Sequence, residues 1–356
     1  MRTESESNGN GAEKKIRFSQ ANDELDPVID RLIGLAGNVH HPAMVREMIL
    51  AALKAGREIE ERADLKLMSS TLKELRYTAK VFRQYRDVRK VTIFGSARVT
   101  PDTPIYQMAK TLAQTLAQSG YMVITGGGQG IMRAGNEGAG EENSFAVTIR
   151  LPFENGANNV MHGSPRSISY KYFFNRKVAF IKEADAVALF PGGFGTLDEA
   201  MEVLTLVQTG KRYPLPLLLV DEVHGTYWSH WKNYVEGELL ARSYINPHDL
   251  SLFTMVDSVT DGMRVINQFY HRYHSIRLVD NLLVIRLRSA VCPGDVLRWE
   301  NEFGDMLEPG GNFRLRGPLP EEEDEPEIAH LPRLVLDFNR KHYSRLRQLI
   351  DAINLA

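Results

Sequence analysis

Residues Ala186 to Glu199 read AVALFPGGFGTLDE, and this stretch decides the fold. It begins with five apolar residues, which suit a strand buried on both faces, and continues into a glycine-rich turn. From Thr196 to Thr209 the apolar positions follow the spacing of a helix. A buried strand, a tight turn and a helix in this order predict one β-α unit of a parallel sheet covered by helices.

The same pattern recurs on both sides of this stretch. Other short apolar runs are Val91–Phe94, Tyr121–Ile124, Phe145–Ile149 and Leu217–Val220. Helical periodicity fills the segments between them, most clearly Ile105–Ser119 and Phe173–Glu183. This alternation predicts a doubly wound, Rossmann-like α/β fold with a parallel sheet, in a domain spanning residues 91–273.

The flanking regions differ from this domain in composition. Residues 1–23 are almost all polar or charged, which predicts a disordered tail, and residues 24–90 carry the apolar spacing of several helices. Residues 274–356 predict a small C-terminal appendage of short strands, with turns such as Pro293-Gly294, and one last helix, about Leu334–Ile353. The acidic run Glu321–Glu325 lies between two prolines and is interpreted as a solvated linker rather than a site.

Composition excludes several classes of protein. The chain has 43 Lys and Arg against 45 Asp and Glu, so no global field favours nucleic acid or an anionic membrane. The single cysteine, Cys292, cannot form an internal disulfide, and no zinc-like spacing occurs. No apolar run approaches the ~20 residues that span a bilayer. We therefore expect a cytoplasmic protein with no metal, no nucleic-acid partner and no membrane partner.

Three of the predicted strands end in glycine-rich loops. Gly95-Ser96-Ala97-Arg98 follows the first, Gly126-Gly127-Gly128-Gln129-Gly130 the second, and Pro191-Gly192-Gly193-Phe194-Gly195-Thr196 the fourth. Each loop alone is explained by a tight turn. Because the carboxyl ends of parallel strands share one edge of the sheet, three such loops together favour a phosphate site, with backbone N–H groups and helix N-termini facing the ligand.

Two common nucleotide motifs are absent from these loops. The second loop fails G-x-G-x-x-G because Ile131 stands where the third glycine belongs, and no loop ends in G-K-[ST]. A dinucleotide oxidoreductase and an ATPase are thus disfavoured. The segment Thr196–Glu199 also fits a capping box, with Thr196 as the N-cap. On spacing alone that structural role for Glu199 is favoured over a catalytic one.

The third loop and its neighbours resemble a known family. Pro191 to Glu199 is similar to the PGGxGTxxE signature of the LOG (Lonely Guy) family, the cytokinin riboside 5′-monophosphate phosphoribohydrolases. Arg176-Lys177 resembles the arginine and lysine that precede that signature on a helix, and the GSAR and GGGxGIM loops match as well. The resemblance covers about Lys90 to Asp221. Asn175 and Arg133 depart from the family pattern. These departures bear on which base the substrate carries more than on the type of reaction.

The resemblance implies hydrolysis of the N-glycosidic bond of a purine nucleoside 5′-monophosphate without a cofactor. Glu199 would stabilise the positive charge that develops on the ribose, and Arg176 would bind phosphate, ribose or the attacking water. Asp198 is not assigned, because neighbouring helix residues point about 100° apart. The other implied substrate-binding residues are Gly95, Ser96, Gly127, Gly128, Gly130, Lys177, Pro191, Gly192, Gly193, Gly195 and Thr196.

Two alternatives stay open at this point. The same loops suit a protein that binds a nucleotide or a nucleotide-bearing cofactor without cleaving it, and fold alone does not decide between binding and catalysis. An assembly or regulatory protein is the third reading, but no motif supports it. The resemblance also implies a homodimer or higher homo-oligomer, with apolar surface supplied by Val203–Val207 and by Phe173-Phe174, and the alternative for both segments is an ordinary place in the core. No lysine stands in a recognisable pyridoxal setting, so a lysine decarboxylase is not supported.

Overall fold

The structure is a computed structural model that describes residues 24–151 and 156–356. The tail predicted to be disordered lies outside these described residues. The chain divides into two compact units, one ending at Lys73 and the other running from Glu74 to Ala356. Three helices occupy the N-terminal part, as the sequence predicts: α1 (Leu25–Ala36), α2 (Pro42–Glu58) and α3 (Arg62–Phe82), the last of which crosses the boundary.

A parallel sheet of seven strands forms the centre of the second unit. Its strands are β1 (Lys90–Phe94), β2 (Met122–Thr125), β3 (Ser144–Ile149), β4 (Ser167–Tyr170), β5 (Ala186–Leu189), β6 (Leu217–Val220) and β7 (Thr254–Val256). Their order is β4-β3-β2-β1-β5-β6-β7, with each neighbouring pair parallel. The chain winds outward in both directions from the pair β1 and β5. This confirms the doubly wound α/β fold and places its topological switch point between those two strands.

Helices cover both faces of this sheet because its strands are apolar on both sides. They are α4 (Pro104–Gln118), α5 (Ile131–Ala139), α6 (Phe173–Lys182), α7 (Phe194–Gln208), α8 (Tyr227–Tyr234) and α9 (Val259–Phe269). Successive strand residues alternate between two cores. Val91 and Ile93 pack in the core that contains α4, α5 and α9, while Phe94 packs in the core with α6 and α7. The strict alternation fixes the strand register.

A second, antiparallel sheet makes up the C-terminal appendage. Its elements in chain order are β8 (Tyr273–Val279), β9 (Leu282–Leu287), α10 (Pro293–Phe303), β10 (Phe313–Arg316), β11 (Arg333–Leu336) and α11 (Tyr343–Leu355), and the strand order is β10-β11-β9-β8. Two expectations are corrected here. Pro293-Gly294 begins a helix instead of forming a turn, since proline suits the first helical position. The last helix begins only at Tyr343, because Arg333–Leu336 pairs with β9 and β10.

The acidic run Glu321–Glu325 is also corrected, since it is an ion-pair network and not a solvated linker. The Glu322 side chain is fully buried and bonds to Arg286 at 2.6 Å and to Arg333 at 3.3 Å. Glu325 bonds to Arg286 and to Arg277. A buried carboxylate without these partners would be strongly unfavourable, so the run ties the loop to the second sheet. Charge composition alone does not reveal that buried arginines pair with the glutamates of this run.

Over residues 24–151 and 156–356, no helix combines the length and the apolar content that crossing a bilayer requires.

Candidate active site

The three glycine-rich loops are joined at the switch point between β1 and β5. The backbone N–H of Ser96 donates to Pro191 O at 3.0 Å, and the N–H of Ile131 donates to Ser96 O at 3.0 Å. Ser96 thus bonds to the loop after β5 on one side and to the start of α5 on the other. The sequence predicts that the loops meet at one edge, and these two hydrogen bonds confirm it.

Several of the glycines are required by this close packing. A Cβ atom on Gly130 would overlap Ser96 O, and Gly130 has a φ of +63° that favours glycine in any case. A Cβ atom on Gly192 would overlap the side chain of Thr196 and approach Ser96 N to 3.0 Å. Gly193 and Gly195 have open space at the Cβ position. The first two glycines hold the loops together, and the last two face space that a ligand can fill.

A cavity of about 710 Å³ opens above the joined loops. This volume lies in the range of small-molecule sites. Eight of the predicted site residues line it: Gly95, Ser96, Arg176, Gly192, Gly193, Gly195, Thr196 and Glu199. The structure therefore brings both predicted catalytic residues and the signature loop to one concave surface.

Helix α7 begins earlier than the sequence predicts, and this changes the role of Glu199. Gly193 is the N-cap and Phe194 the first helical residue, so Thr196 lies within the first turn. The N–H groups of Thr196 and Leu197 donate to Gly193 O, and those of Phe194 and Gly195 precede them at the open end of the helix. The capping-box interpretation is therefore wrong, because Glu199 lies too far along the helix to cap it.

The Glu199 carboxyl is buried at the wall of the cavity. Its side chain is 10% exposed, and Oε2 has no hydrogen-bond partner among the described residues. Burial raises the pKa of Glu199 from its ordinary 4.5 to about 7, against the opposing charge of Lys177. A carboxylate held in this way is unfavourable for stability, and strongly shifted groups in clefts are typical of functional sites.

Lys177 contacts three carboxylates of α7. Its Nζ atom lies 2.8 Å from Asp198, 3.5 Å from Glu199 Oε1 and 2.7 Å from Glu202 Oε2. Burial disfavours the ammonium, but hydrogen bonds to Asp198 and Glu202 still raise the pKa of Lys177. The lysine thus stays charged and joins α6 to α7. It is not on the cavity wall, and its contact with Glu199 is electrostatic support for that carboxyl.

Arg176 is held against the second loop and points towards the cavity. Its Nε donates to Val147 O at 3.0 Å, and its guanidinium lies 5.1 Å from the centre of the Phe180 ring. A Cβ atom on Gly126 would come within 2.6 Å of Arg176 Nη2. The absence of a side chain at Gly126 therefore gives the guanidinium its place, and the Arg176 charge is close enough to lower the pKa of Glu199.

Five predicted substrate-binding residues lie off the cavity wall: Gly127, Gly128, Gly130, Lys177 and Pro191. Gly127 and Gly128 are turned inward. Asn158 donates from its backbone N–H to Gly127 O and from Nδ2 to Gly128 O, and the N–H of Gly127 donates to Thr125 Oγ1. Because these backbone groups already have partners, the second loop supports the site from behind.

Two cavity residues were missed or set aside by the sequence analysis. The Tyr227 hydroxyl donates to Gly192 O at 2.7 Å, and its N–H donates to Asp221 at the end of β6. Examining this fourth strand end would have pointed to Tyr227. Asp198 also lines the cavity. Its carboxylate and that of Glu199 both contact Lys177, at 2.8 and 3.5 Å, and the assignment of the catalytic role to Glu199 alone stays a prediction.

Known proteins match the part of this chain that contains the signature loop. Residues 129–266 match the family model described as "Possible lysine decarboxylase", which includes the LOG proteins. A cytokinin riboside 5′-monophosphate phosphoribohydrolase of Mycobacterium tuberculosis is 25% identical over 181 residues, covering 49% of this chain and 91% of that protein. A probable enzyme of the same name from Oryza sativa subsp. japonica is 31% identical over 139 residues, covering 37% and 55%.

Among solved structures, a molybdenum cofactor binding protein from Rippkaea orientalis is 19% identical with a TM-score of 0.36, covering 51% of this chain and 94% of that one. The match to the family model and to the two relatives confirms the LOG resemblance, at low identity and over the central part of the chain.

Proposed function

We propose that the protein hydrolyses the N-glycosidic bond of a purine nucleoside 5′-monophosphate, cytokinin nucleotides included, releasing the free base and ribose 5-phosphate. Water supplies the hydroxyl that replaces the base at C1′. The observation that carries the proposal is the Glu199 carboxyl, buried at the cavity wall beside the signature loop, with one oxygen that has no hydrogen-bond partner in the part of the chain that the structure describes. The names of the two relatives support the same reaction class.

The geometry suits the charge changes of this reaction. Cleavage of the C1′–N9 bond builds positive charge on the ribose, and a buried carboxylate stabilises such a cation better than a solvated one. The start of α7 offers N–H groups and the positive end of its dipole to the 5′-phosphate. Arg176 adds a permanent positive charge on the same wall. Phosphate binding thereby places C1′ near Glu199.

The decisive experiment compares turnover by wild type and Glu199→Gln on AMP, with release of adenine and ribose 5-phosphate as the readout. Gln keeps the size of the side chain and removes its charge, so we expect turnover to fall by about 100-fold or more while the protein stays folded. Near-normal turnover would show that Glu199 has only a structural role. Arg176→Lys should also be severely impaired, since lysine lacks the planar fork.

The substrate's phosphate is tested in the same assay. If the start of α7 binds the 5′-phosphate, adenosine should be cleaved far more slowly than AMP. Comparable turnover of both would contradict the phosphate role of the signature loop.

Binding without cleavage is the alternative, and the raised pKa of Glu199 is compatible with it. A protonated carboxyl does not repel an anionic ligand. Saturable AMP binding by the wild type without release of adenine, across a panel of nucleoside monophosphates, would establish this alternative in place of the hydrolase.

A further inference from the structure

A second cavity, of about 850 Å³, lies at the opposite edge of the parallel sheet. Its wall includes residues that directly precede strands: Arg89 before β1, Tyr121 before β2 and Asp185 before β5. Because all the strands run the same way, these residues lie at the edge away from the glycine-rich loops. In the C-terminal appendage, β8, the end of β9 with Arg288 directly after it, and the segment Glu325–Ile328 contribute further residues to this wall.

Two arginines on this wall lack carboxylate partners. Arg86 pairs with Asp87 at 3.7 Å, and Arg286 pairs with Glu325 at 2.5 Å. Arg89 instead lies over the ring of Tyr270, 3.8 Å from its centre. Over the described ranges, neither Arg89 nor Arg288 forms an ion pair with a carboxylate. Two guanidinium groups thus share one cavity without a direct ion pair, although Asp185 on the same wall is close enough for the Arg89 charge to oppose the rise in its pKa that burial causes.

The wall carries as many carboxylates as arginines, and burial together with nearby charges shifts the pKa values of two of its groups. Burial and the neighbouring Arg89 charge lower the pKa of Arg288. Burial, with the charges of Arg288, Arg89 and Arg286, also lowers the pKa of His274 to about 4. The lowered pKa leaves His274 uncharged at neutral pH. A bound phosphate group would give Arg89 and Arg288 the anionic partner that neither has in a direct ion pair.

We propose that this cavity binds a phosphate ester that carries hydroxyl groups, of the sugar phosphate or nucleotide class. Arg89 and Arg288 hold the phosphate, since guanidinium forks match phosphate oxygens. Asp185 and Glu327 lie on the same wall and suit hydroxyl donors, and they disfavour a ligand that is anionic throughout. The cavity volume fits a molecule of this size.

The site is independent of the proposed hydrolase function. Arg89, His274 and Arg288 all lie outside residues 129–266, the region that matches the family model. The C-terminal appendage supplies His274 and Arg288 and so gives this extension a ligand-binding role that the catalytic edge does not need.

The test uses the full chain, with ribose 5-phosphate as the probe and both calorimetry and hydrogen exchange as readouts. Because ribose 5-phosphate is also the expected product at the catalytic edge, the location must be measured directly. We expect saturable binding that slows amide exchange in β8 and β9, with ribose giving no protection. Inorganic phosphate should bind more weakly than ribose 5-phosphate. AMP in place of ribose 5-phosphate, with Glu199→Gln as the protein so that AMP is not cleaved to ribose 5-phosphate, distinguishes a nucleotide site from a sugar phosphate site.

Arg288→Gln is the informative variant, because Arg288 is exposed and its loss should leave the fold intact. It should weaken the binding that protects β8 and β9 by about tenfold or more. Arg298→Gln is the matched control, since this exposed arginine of α10 pairs with Asp295 and lies off the cavity wall. It should bind as the wild type does.

Three results would overturn the proposal. If protection of β8 and β9 is unchanged in Arg288→Gln, the Arg288 guanidinium does not bind the ligand. If ribose 5-phosphate, AMP and inorganic phosphate all give no protection, the cavity does not bind a phosphate ester. Inorganic phosphate binding as tightly as ribose 5-phosphate would refute the sugar phosphate or nucleotide assignment. None of these results depends on whether the catalytic edge cleaves a nucleotide.

Discussion

The buried carboxyl of Glu199 links the site to the stability of the fold. Burial raises its pKa from 4.5 to about 7, so the folded state holds this proton more tightly than the unfolded state. Stability contributed by the protonated form is present below the unfolded pKa and is lost as the pH rises through about 7. The active-site carboxyl therefore destabilises the protein at alkaline pH.

Glu199→Gln should for this reason stabilise the protein in a pH-dependent way. We expect the free energy of unfolding to rise by on the order of 1–3 kcal/mol at about pH 8 and by less at about pH 5. Urea unfolding at the two pH values measures this. Glu202→Gln is the control, because its side chain is 29% exposed and also contacts Lys177. An equal gain for Glu199→Gln at both pH values would contradict the buried-charge explanation.

Lys177 tunes the same carboxyl from α6. Its charge lowers the pKa of Glu199, so Lys177→Gln should raise that pKa further. If the ionised carboxylate is the active form, kcat/KM rises with pH through about 7 in the wild type, and the variant should move this limb to higher pH. Lys182→Gln, on the same helix and 64% exposed, should keep the wild-type profile. An unshifted limb in Lys177→Gln would exclude this electrostatic role.

At the scale of single elements, the signature loop depends on one glycine more than on its neighbour. A Cβ atom on Gly192 would overlap Thr196, whereas Gly193 has open space and a φ of −88°. Gly192→Ala should lower the free energy of unfolding by about 1–3 kcal/mol. Gly193→Ala should lower it by less, about 0.5–1 kcal/mol, since alanine is a poorer N-cap than glycine but its Cβ meets no neighbouring atom. Similar values for both in thermal unfolding would contradict the packing role of Gly192.

The sequence predicts the strands that are buried on both faces. The strands β1, β2, β3, β5 and β6 are continuous apolar runs because helices cover both of their faces. The sequence analysis misses β4 and β7 because they are edge strands, and only two of the four residues of β4 are buried. Their pairing comes from tertiary context, which short windows of sequence do not contain.

The candidate site shows the same division at the residue level. The loop that carries Gly192, Gly193 and Thr196 is recognisable, because glycine at a strand end marks a tight turn or a close approach of the backbone to another group. Tyr227 and the Lys177 cluster are not, because their roles depend on distances across different helices. The second cavity is wholly tertiary, since its walls join residues from the starts of strands and from the C-terminal appendage.

At the scale of the whole molecule, one apolar surface on the second unit stands out. The apolar patch consists of Phe173, Phe174 and Val178 on α6 with Phe194 and Met201 on α7. Phe194 is 94% exposed. Phe173 and Phe194 both line the cavity at the signature loop. The sequence analysis places this surface partly at Val203–Val207, but Val203 and Val207 are buried in the core. The large exposed apolar residues of α7 are instead Phe194 and Met201.

We propose that the apolar patch is a contact between copies of the chain, so that a second copy limits water around the sugar cation. Light scattering should then give at least a dimer, and Val178→Glu and Met201→Glu should each lower both assembly and turnover, because a charge is unfavourable in an apolar interface. Leu297→Glu is the matched control, since Leu297 is 65% exposed on α10 and lies outside the patch. It should leave assembly and turnover unchanged. A fully active monomer at the assay concentration would refute the dimer, and loss of turnover without loss of assembly would assign the patch to the substrate instead.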